Sequence, residues 1–453
     1  MTNPRKSLVS LVAVALAAIP AMETSSAQGV GLPANVVDYS ALALEASYPT
    51  FDADGRPAGK AAWRVVTGTG NCCENYVASA PSGRLLDMGG SYIRYTDNFG
   101  KTWKEVRSIS RTVGGEGALS PAPGGDVVGV TWDAYSGDHA IAFKYDAELE
   151  SWTHSEAVLK TPFFDRPWFA VIPGPFTFGA IEAEYITILR GGFPSKDVMY
   201  ISYDGLNYFQ ASQHETQGAT EEPIERWLDF EPAAYLDWVQ PNVSTGVSAL
   251  PGIGALSWNG GIQFPMMPTS DTGFVMEAPE ADWDPFLFPN GKFPDGDYLA
   301  DSRGRLHRFS PDRNAKGVAT AFEYHISSNG GRGWTSMRIP LPERHYIEEY
   351  DFKVNAKLGI AAIAIHAHRN EKKESKEADQ DLVYELDITR DKVRVERLYY
   401  VGTGDANVGD SFNVSGGARF DFATIAILPD RTLVTSFVDK MHTSPALAFL
   451  LSR

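Results

Sequence analysis

The stretch Thr96-Asp97-Asn98-Phe99-Gly100-Lys101-Thr102-Trp103 carries the strongest fold signal in the sequence. Asp97 is expected to bond backbone N–H groups inside its own turn, since short polar side chains do this readily. Gly100 supplies a backbone conformation that a Cβ would resist. Trp103 begins the next strand with a ring large enough to wedge between neighbouring sheets. The stretch therefore predicts a tight β-hairpin, and it indicates the fold more strongly than it indicates any chemistry.

Degraded copies of this stretch recur along the chain. Residues 145–152 keep Asp and Trp but lose Gly, 202–209 keep Asp and Gly and end in aromatics, and 327–334 have Asn in place of Asp. A polar turn followed by a short apolar strand precedes several copies, as in Ser82-Gly83-Arg84-Leu85-Leu86. This order of turn, strand and hairpin, repeated at about 45–60 residues, predicts four-stranded antiparallel blades.

Short β-branched and aromatic runs dominate the rest of the sequence, and long amphipathic helices are not evident. We therefore predict an all-β fold, a β-propeller with seven blades favoured over six. The predicted blades cover 72–108, 113–158, 165–212, 225–275, 295–340, 345–397 and 400–453. A strand at 39–45 is predicted to close the ring beside the last blade, because closure removes free sheet edges.

The N-terminus indicates an export signal. Arg5 and Lys6 precede a short apolar run at 8–20, and Ser25 and Ala27 occupy small-residue cleavage positions. We predict a signal peptide over 1–27 and a single propeller domain over 28–453 in a secreted or periplasmic protein. The apolar run is too short to span a bilayer comfortably.

The net charge of −17 argues against nucleic acid or anionic membrane as a partner. It does not exclude an acidic glycan, because a local group of arginines can oppose the global charge. The two cysteines are adjacent, Cys72-Cys73, and in an oxidising compartment they form either a vicinal disulfide or two buried thiols. Glu74 and Tyr76 beside them are candidate substrate-binding residues at the mouth of a central channel.

The stretch at 96–103 and its copies resemble the Asp-box of the sialidase-like, BNR-repeat β-propeller superfamily, over about residues 60–450. The resemblance implies a carbohydrate-active protein. One group within it, the seven-bladed lyases that cleave next to a uronate, uses His, Tyr and Arg. Its pattern is similar to that of His139, Tyr185 and Arg190 here.

Under the hypothesis that the chain is such a lyase, Arg190 with Arg166 neutralises the substrate carboxylate. His139 or Tyr185 removes the proton at C5. Tyr185 then protonates the leaving oxygen, which requires a lowered pKa of its phenol. The partner would be an acidic polysaccharide or oligosaccharide, bound by a monomeric chain.

Two alternatives remain open from the sequence. A sialidase-type exo-glycosidase needs an arginine triad and a carboxylate pair. Arg64, assigned to the first blade, is a candidate substrate-binding residue, but Val-Val follows it where sialidases carry Ile-Pro. The literal Arg338-Ile339-Pro340 instead follows a degraded copy of the hairpin. The other alternative is a propeller that binds a glycan or a protein without catalysis.

No cofactor is certain from the sequence. His366 and His368 share one face of a strand, and His345 or His325 would be needed as a third ligand for Zn²⁺. Asp-Gly loops are compatible with Ca²⁺. A structural divalent cation is therefore only an expectation, and no metal-ligating residue is assigned.

Overall fold

The computed structural model describes residues 35–38, 40, 43–66, 76–80, 82–89, 92–106, 113–122, 126–133, 139–146, 151–154, 159–160, 168–178, 181–191, 196–202, 204–215, 247–250, 254–259, 262–269, 273–276, 297–301, 303, 305–315, 318–328, 333–368, 380–390, 392–401, 424–438 and 445–453. The all-β prediction is confirmed, because every regular element longer than one turn in these ranges is a strand. No helix in the described ranges is long and apolar enough to cross a membrane. The predicted signal peptide at 1–27 lies outside the described residues.

The strands of the first half of the chain are β1 (Asn35–Asp38), β2 (Ala43–Phe51), β3 (Pro57–Val66), β4 (Tyr76–Ser79), β5 (Leu85–Gly89), β6 (Tyr92–Thr96), β7 (Thr102–Val106), β8 (Val113–Pro121), β9 (Val127–Asp133), β10 (His139–Asp146), β11 (Ser151–His154), β12 (Leu159–Lys160), β13 (Trp168–Phe178), β14 (Ile181–Gly191), β15 (Lys196–Ser202) and β16 (Tyr208–Glu215).

The second half contributes β17 (Val247–Leu250), β18 (Gly254–Asn259), β19 (Ile262–Thr269), β20 (Gly273–Met276), β21 (Asp297–Ala300), β22 (Leu306–Arg313), β23 (Ala319–Ser327), β24 (Thr335–Pro340), β25 (Tyr346–Asn355), β26 (Ile360–His368), β27 (Gln380–Arg390), β28 (Lys392–Val401), β29 (Ile425–Ile427), β30 (Leu433–Val438) and β31 (Pro445–Ser452).

Consecutive strands pair antiparallel into sheets. The first sheet has the order β1-β7-β6-β5-β4, the second β11-β10-β9-β8 with β12 also on β10, the third β13-β14-β15-β16 and the fourth β17-β18-β19-β20. The remaining thirteen strands form one large sheet. It contains three antiparallel runs that are joined only by short pairings, Ala319 with Ile347 and Thr50–Phe51 with Leu398–Tyr399.

We call innermost the strands by which neighbouring sheets or runs contact each other, β4, β8, β13, β17, β21, β25 and β29. β4 neighbours β8, β8 neighbours β13, β13 neighbours β17, and β17 neighbours β21. β29 lies next to both β25 and β4, which brings the end of the chain back to the first sheet. Up-and-down sheets whose innermost strands follow one another in a ring are the architecture of a β-propeller. The described hydrogen bonds give five sheets, so the number of blades stays a prediction.

The ring is closed by a different strand from the one predicted. β3 pairs with β31 at the end of the chain, from Ala62 with Ser452 to Val66 with Leu447. The predicted closing strand at 39–45 overlaps the start of β2, which pairs outside β3. The prediction that Arg64 belongs to the first blade is therefore wrong, because its strand is part of the last antiparallel run.

Apolar faces of neighbouring sheets pack together and form the core. One cluster joins Leu86 and Tyr95 of the first sheet to Val127 and Phe143 of the second. Another joins Trp103 of the first sheet to residues of the large sheet that include Phe449. Trp103 is fully buried, which agrees with the wedge expected from the sequence.

The hairpin at 96–103 is held by Asn98 and not by Asp97. The Asn98 side-chain oxygen accepts a hydrogen bond from the Thr102 N–H at 2.9 Å, and Thr96 Oγ1 accepts one from the Gly100 N–H at 3.0 Å. Gly100 has φ +77°, and a Cβ there would lie 2.6 Å from the Phe449 ring. In the pattern [S/T]-x-D-x-G-x-T-W the third position is Asn98, so the turn role predicted for Asp97 is wrong.

Candidate functional site

The strand directions bring several predicted site residues to one end of the sheets. When the strands of an up-and-down sheet are counted from the innermost one, the first and third strands begin at the same end, and the second strand ends there. Tyr76 begins the first strand of its sheet, His139 begins a third strand, and Arg190 is next to last in a second strand. The innermost strands β4, β8 and β13 neighbour one another in this order. We call the end of each sheet where its innermost strand begins the upper end.

These residues lie at different distances from the innermost strands. His139 is paired with Lys160 and stands two strands outward from β8, about 10 Å along the sheet. Arg190 is one strand outward, about 5 Å from β13, and is paired with Trp168 and Met199. Tyr76 belongs to the innermost strand β4 and is paired with Met88. Each backbone thus lies near the start of the innermost strand of its own sheet.

Tyr185 lies in a buried position between the second and third sheets. Only 5 % of the residue is exposed. Its hydroxyl donates to the Asp204 backbone oxygen at 3.3 Å, and Lys144 Nζ lies 5.5 Å from the ring centroid. Burial raises the pKa of Tyr185 despite the nearby Lys144 ammonium. This direction is opposite to the lowered pKa that a proton shuttle needs.

Arg64 lies far from the innermost strands. It is on β3, outside β31, and its Nη2 donates to Glu45 Oε1 on β2 at 3.0 Å. The Arg64 side chain is 9 % exposed while that of Glu45 is 70 % exposed. The guanidinium is therefore paired at the outer part of the last run. Cys72, Cys73, Glu74 and Arg166 lie outside the described residues.

The histidines considered as metal ligands do not share partners: His366 and His368 are on β26, His345 precedes β25, and His325 is on β23. His366 Nδ1 lies 2.7 Å from Asp381 Oδ1, and His345 Nδ1 lies 3.0 Å from the Glu343 backbone oxygen. His325 Nδ1 lies 2.5 Å from Ser336 Oγ, and Arg308 packs on the same imidazole. Within the described ranges no three His, Cys, Asp or Glu residues come together as a metal site.

The sequence did not predict a polar cluster at the opposite end of the sheets, where the innermost strands end. We call this the lower end. Arg84 donates from Nε to Asp97 Oδ1 at 2.7 Å and from Nη2 to Asp97 Oδ2 at 2.9 Å. Its Nη1 also donates to the Tyr145 hydroxyl of the second sheet. At Ser82-Gly83-Arg84 the sequence predicts only a turn before a strand, and nothing in the local sequence shows which neighbours an arginine there will contact.

A cavity of about 230 Å³ opens beside this cluster, between the first sheet and the last run of the large sheet. Its lining residues come from three turns at the lower end and from β31, and those used below are Ser82, Asp97, Phe99, Leu428, Asp430 and Phe449. The cavity and the upper end lie at opposite ends of the innermost strands, so they are separate candidate sites.

Comparison with known proteins yields no family. No protein-family model matches the sequence, and no curated protein matches it. Among solved structures, a lectin of Aleuria aurantia bound to Fucα1-6GlcNAc has 9 % identity and a TM-score of 0.34 over 83 % of this chain and 90 % of that one. The NanB sialidase of Streptococcus pneumoniae has 10 % identity and a TM-score of 0.34 over 85 % of this chain and 69 % of that one.

A protein from Lactobacillus plantarum has 11 % identity and a TM-score of 0.37, over 79 % of this chain and all of that chain, 100 %. These TM-scores are too low to support any argument about function. The description of this protein as a propeller therefore rests on its own strand order and on the ring of innermost strands.

Proposed function

We propose that this chain is an exported, monomeric, seven-bladed propeller that cleaves an acidic polysaccharide next to a uronate by β-elimination. The proposal is supported by the strand order, in which Tyr76, His139 and Arg190 each belong to the end of their own sheet where its innermost strand begins. The count of seven follows from treating each antiparallel run of the large sheet as a blade.

In the proposed reaction, Arg190 binds the uronate carboxylate, which makes the C5 proton more acidic. His139 removes this proton, the C4–O bond breaks, and a C4–C5 double bond forms. The leaving oxygen takes up a proton. Tyr76 on the innermost strand is assigned this donor role in place of Tyr185, because Tyr185 is buried and its pKa is raised.

The test is to incubate the purified protein with ulvan, gum arabic, pectate and glycosaminoglycans and to follow the ultraviolet absorbance of the new double bond. We expect activity on one of these polymers and a loss of about 100-fold or more in His139→Ala. Arg190→Ala should lose activity to a similar degree. Arg338→Ala, on the exposed strand β24, is the matched control and should keep full activity.

Two results would replace this proposal with another. Release of reducing sugar without ultraviolet absorbance would indicate a sialidase-type hydrolase. Binding of an acidic polymer without turnover, unaffected by His139→Ala, would indicate a non-catalytic glycan-binding propeller. The raised pKa of Tyr185 favours this second alternative, since it removes one of the three residues predicted to be catalytic.

A further inference from the structure

The cavity at the lower end combines an apolar floor with polar groups at its opening. Leu428 and Phe449 are buried, at 4 % and 0 % exposure, and form part of the floor. The half-buried Phe99 ring meets Phe449 edge to face, with centroids 6.4 Å apart. At about 230 Å³ the cavity is smaller than the sites that hold drug-sized ligands. It fits one small ring.

The polar groups at the opening are mainly hydrogen-bond acceptors. Both Asp97 oxygens accept from Arg84, yet each carboxylate oxygen has a second lone pair, and the Asp97 side chain is 49 % exposed. Asp430 is exposed and uses Oδ1 to accept from the Thr432 N–H at 2.9 Å. Ser82 Oγ accepts from the Arg84 N–H, so its own hydrogen is directed elsewhere.

The charges at the opening determine which kind of hydrogen-bond donor a ligand must carry. Arg84 neutralises Asp97 through two hydrogen bonds, so that Asp97 attracts a neutral hydroxyl more than it attracts a free cation. The remaining charge, on Asp430, is at the surface and is screened by solvent. A suitable ligand has several neutral hydroxyl groups, which donate hydrogen bonds at the opening, and a flat apolar face, which packs against Phe99.

We propose that the lower cavity binds one neutral sugar residue, separately from any reaction at the upper end. The ring of the sugar lies against Phe99, and its hydroxyls donate to Asp97 and Asp430. This is a second glycan contact on the side of the ring opposite the candidate catalytic residues. It does not depend on the chemistry proposed for His139.

The test uses the full-length protein and NMR titration with methyl glycosides of glucose, galactose, mannose and xylose. We expect saturable binding of at least one glycoside. Asp430→Asn keeps the acceptor for the Thr432 N–H but removes the charge, and it should weaken binding about tenfold. Phe99→Leu keeps an apolar side chain but removes the flat ring, and it should weaken binding to a similar extent.

The matched control is Asp312→Asn, an exposed carboxylate on β22 that pairs with Arg338 away from the cavity. This variant should bind the glycoside as the wild type does. The proposal is overturned if no glycoside binds, if the Asp430 and Phe99 variants bind as tightly as the wild type, or if propylammonium binds in place of the glycosides.

The two proposals fail independently. Loss of glycoside binding in Asp430→Asn with unchanged lyase activity supports a separate lower site. Absence of lyase activity with cavity binding intact would remove only the reaction proposed for the upper end.

Discussion

Two arginines occupy equivalent turns of this protein but different environments. Arg84 and Arg305 each follow the turn after the first strand of their sheet or run, and each pairs with a carboxylate of that sheet and bonds to the next one. The partner of Arg84, Asp97, has a side chain that is 49 % exposed. The partner of Arg305, Asp301, has a side chain that is 1 % exposed.

This difference separates a site that can meet a ligand from one that only holds sheets together. Asp301 also accepts from its own turn, through the Arg303 and Arg305 N–H groups, and lies 3.0 Å from His307 Nε2. Tyr324 Oη lies 3.1 Å from His307 Nδ1, so the imidazole contacts polar atoms through both ring nitrogens. An aspartate, a histidine and a tyrosine in contact resemble catalytic machinery, but here they are fully enclosed and serve packing.

The largest expected effect comes from breaking the enclosed cluster. Arg305→Met leaves Asp301 buried without its cation and removes the donor to the Ile388 backbone oxygen. Loss of one partner of a buried ion pair costs about 3–5 kcal/mol. Urea unfolding followed by circular dichroism measures this loss. Arg303→Met, at an exposed position of the same turn, should change the free energy of unfolding by less than about 0.5 kcal/mol.

A smaller effect is expected at the half-exposed cluster. In Arg84→Met, Asp97 is left in contact with water, and the main cost is the Tyr145 hydroxyl that loses its donor. Loss of a hydrogen bond to a charged group costs about 1.5–3 kcal/mol. If Arg84→Met destabilised the protein as much as Arg305→Met in the same urea experiment, the exposure of the carboxylate would not be what distinguishes the two clusters.

These clusters show how far the sequence could predict the structure. The hydrogen bonds of the hairpin around Gly100 form within a few residues of chain, so a turn there can be predicted from the sequence. Each arginine also bonds to an atom of a neighbouring sheet, Arg84 to the Tyr145 hydroxyl 61 residues away and Arg305 to the Ile388 oxygen 83 residues away. Arg64 was placed in the wrong blade for the same reason, because only long-range pairing shows that β3 closes the ring beside β31.

The pH dependence of stability should also separate the two clusters, because only the enclosed one contains a histidine. Burial lowers the pKa of His307 in the folded state, although Asp301 opposes this. The unfolded chain therefore binds more protons, and this contribution is complete above about pH 6.5 and is lost as the pH falls below it. Hydrogen bonds from His307 and the Arg305 N–H hold the pKa of Asp301 well below its usual range, despite burial.

The measurement is the free energy of unfolding between about pH 5 and pH 7. His307→Gln should flatten the decline toward low pH, and Arg84→Met should leave its slope unchanged. His325 adds to the same decline, since burial and Arg308 lower its pKa to about 3. An equal slope in wild type and His307→Gln would show that His307 is not the group responsible.

The smallest loss of stability is expected from a change at Tyr185. This residue is buried, but its neighbours Lys144 and Asp126 are partly exposed. Its partner Lys144 is bound to Asp126 at 2.8 Å, and these two side chains are 25 % and 19 % exposed. Tyr185→Phe keeps the ring against Lys144 and removes the hydrogen bonds of the hydroxyl to the Asp204 oxygen, at 3.3 Å, and to Lys144. The expected loss of stability is about 0.5–1.5 kcal/mol. Polymer cleavage should be unchanged, because the Tyr185 hydroxyl is buried between two sheets and bonded there. A loss of cleavage with stability preserved would instead return Tyr185 to the catalytic group, and the junction between the second and third sheets would then be part of the active site.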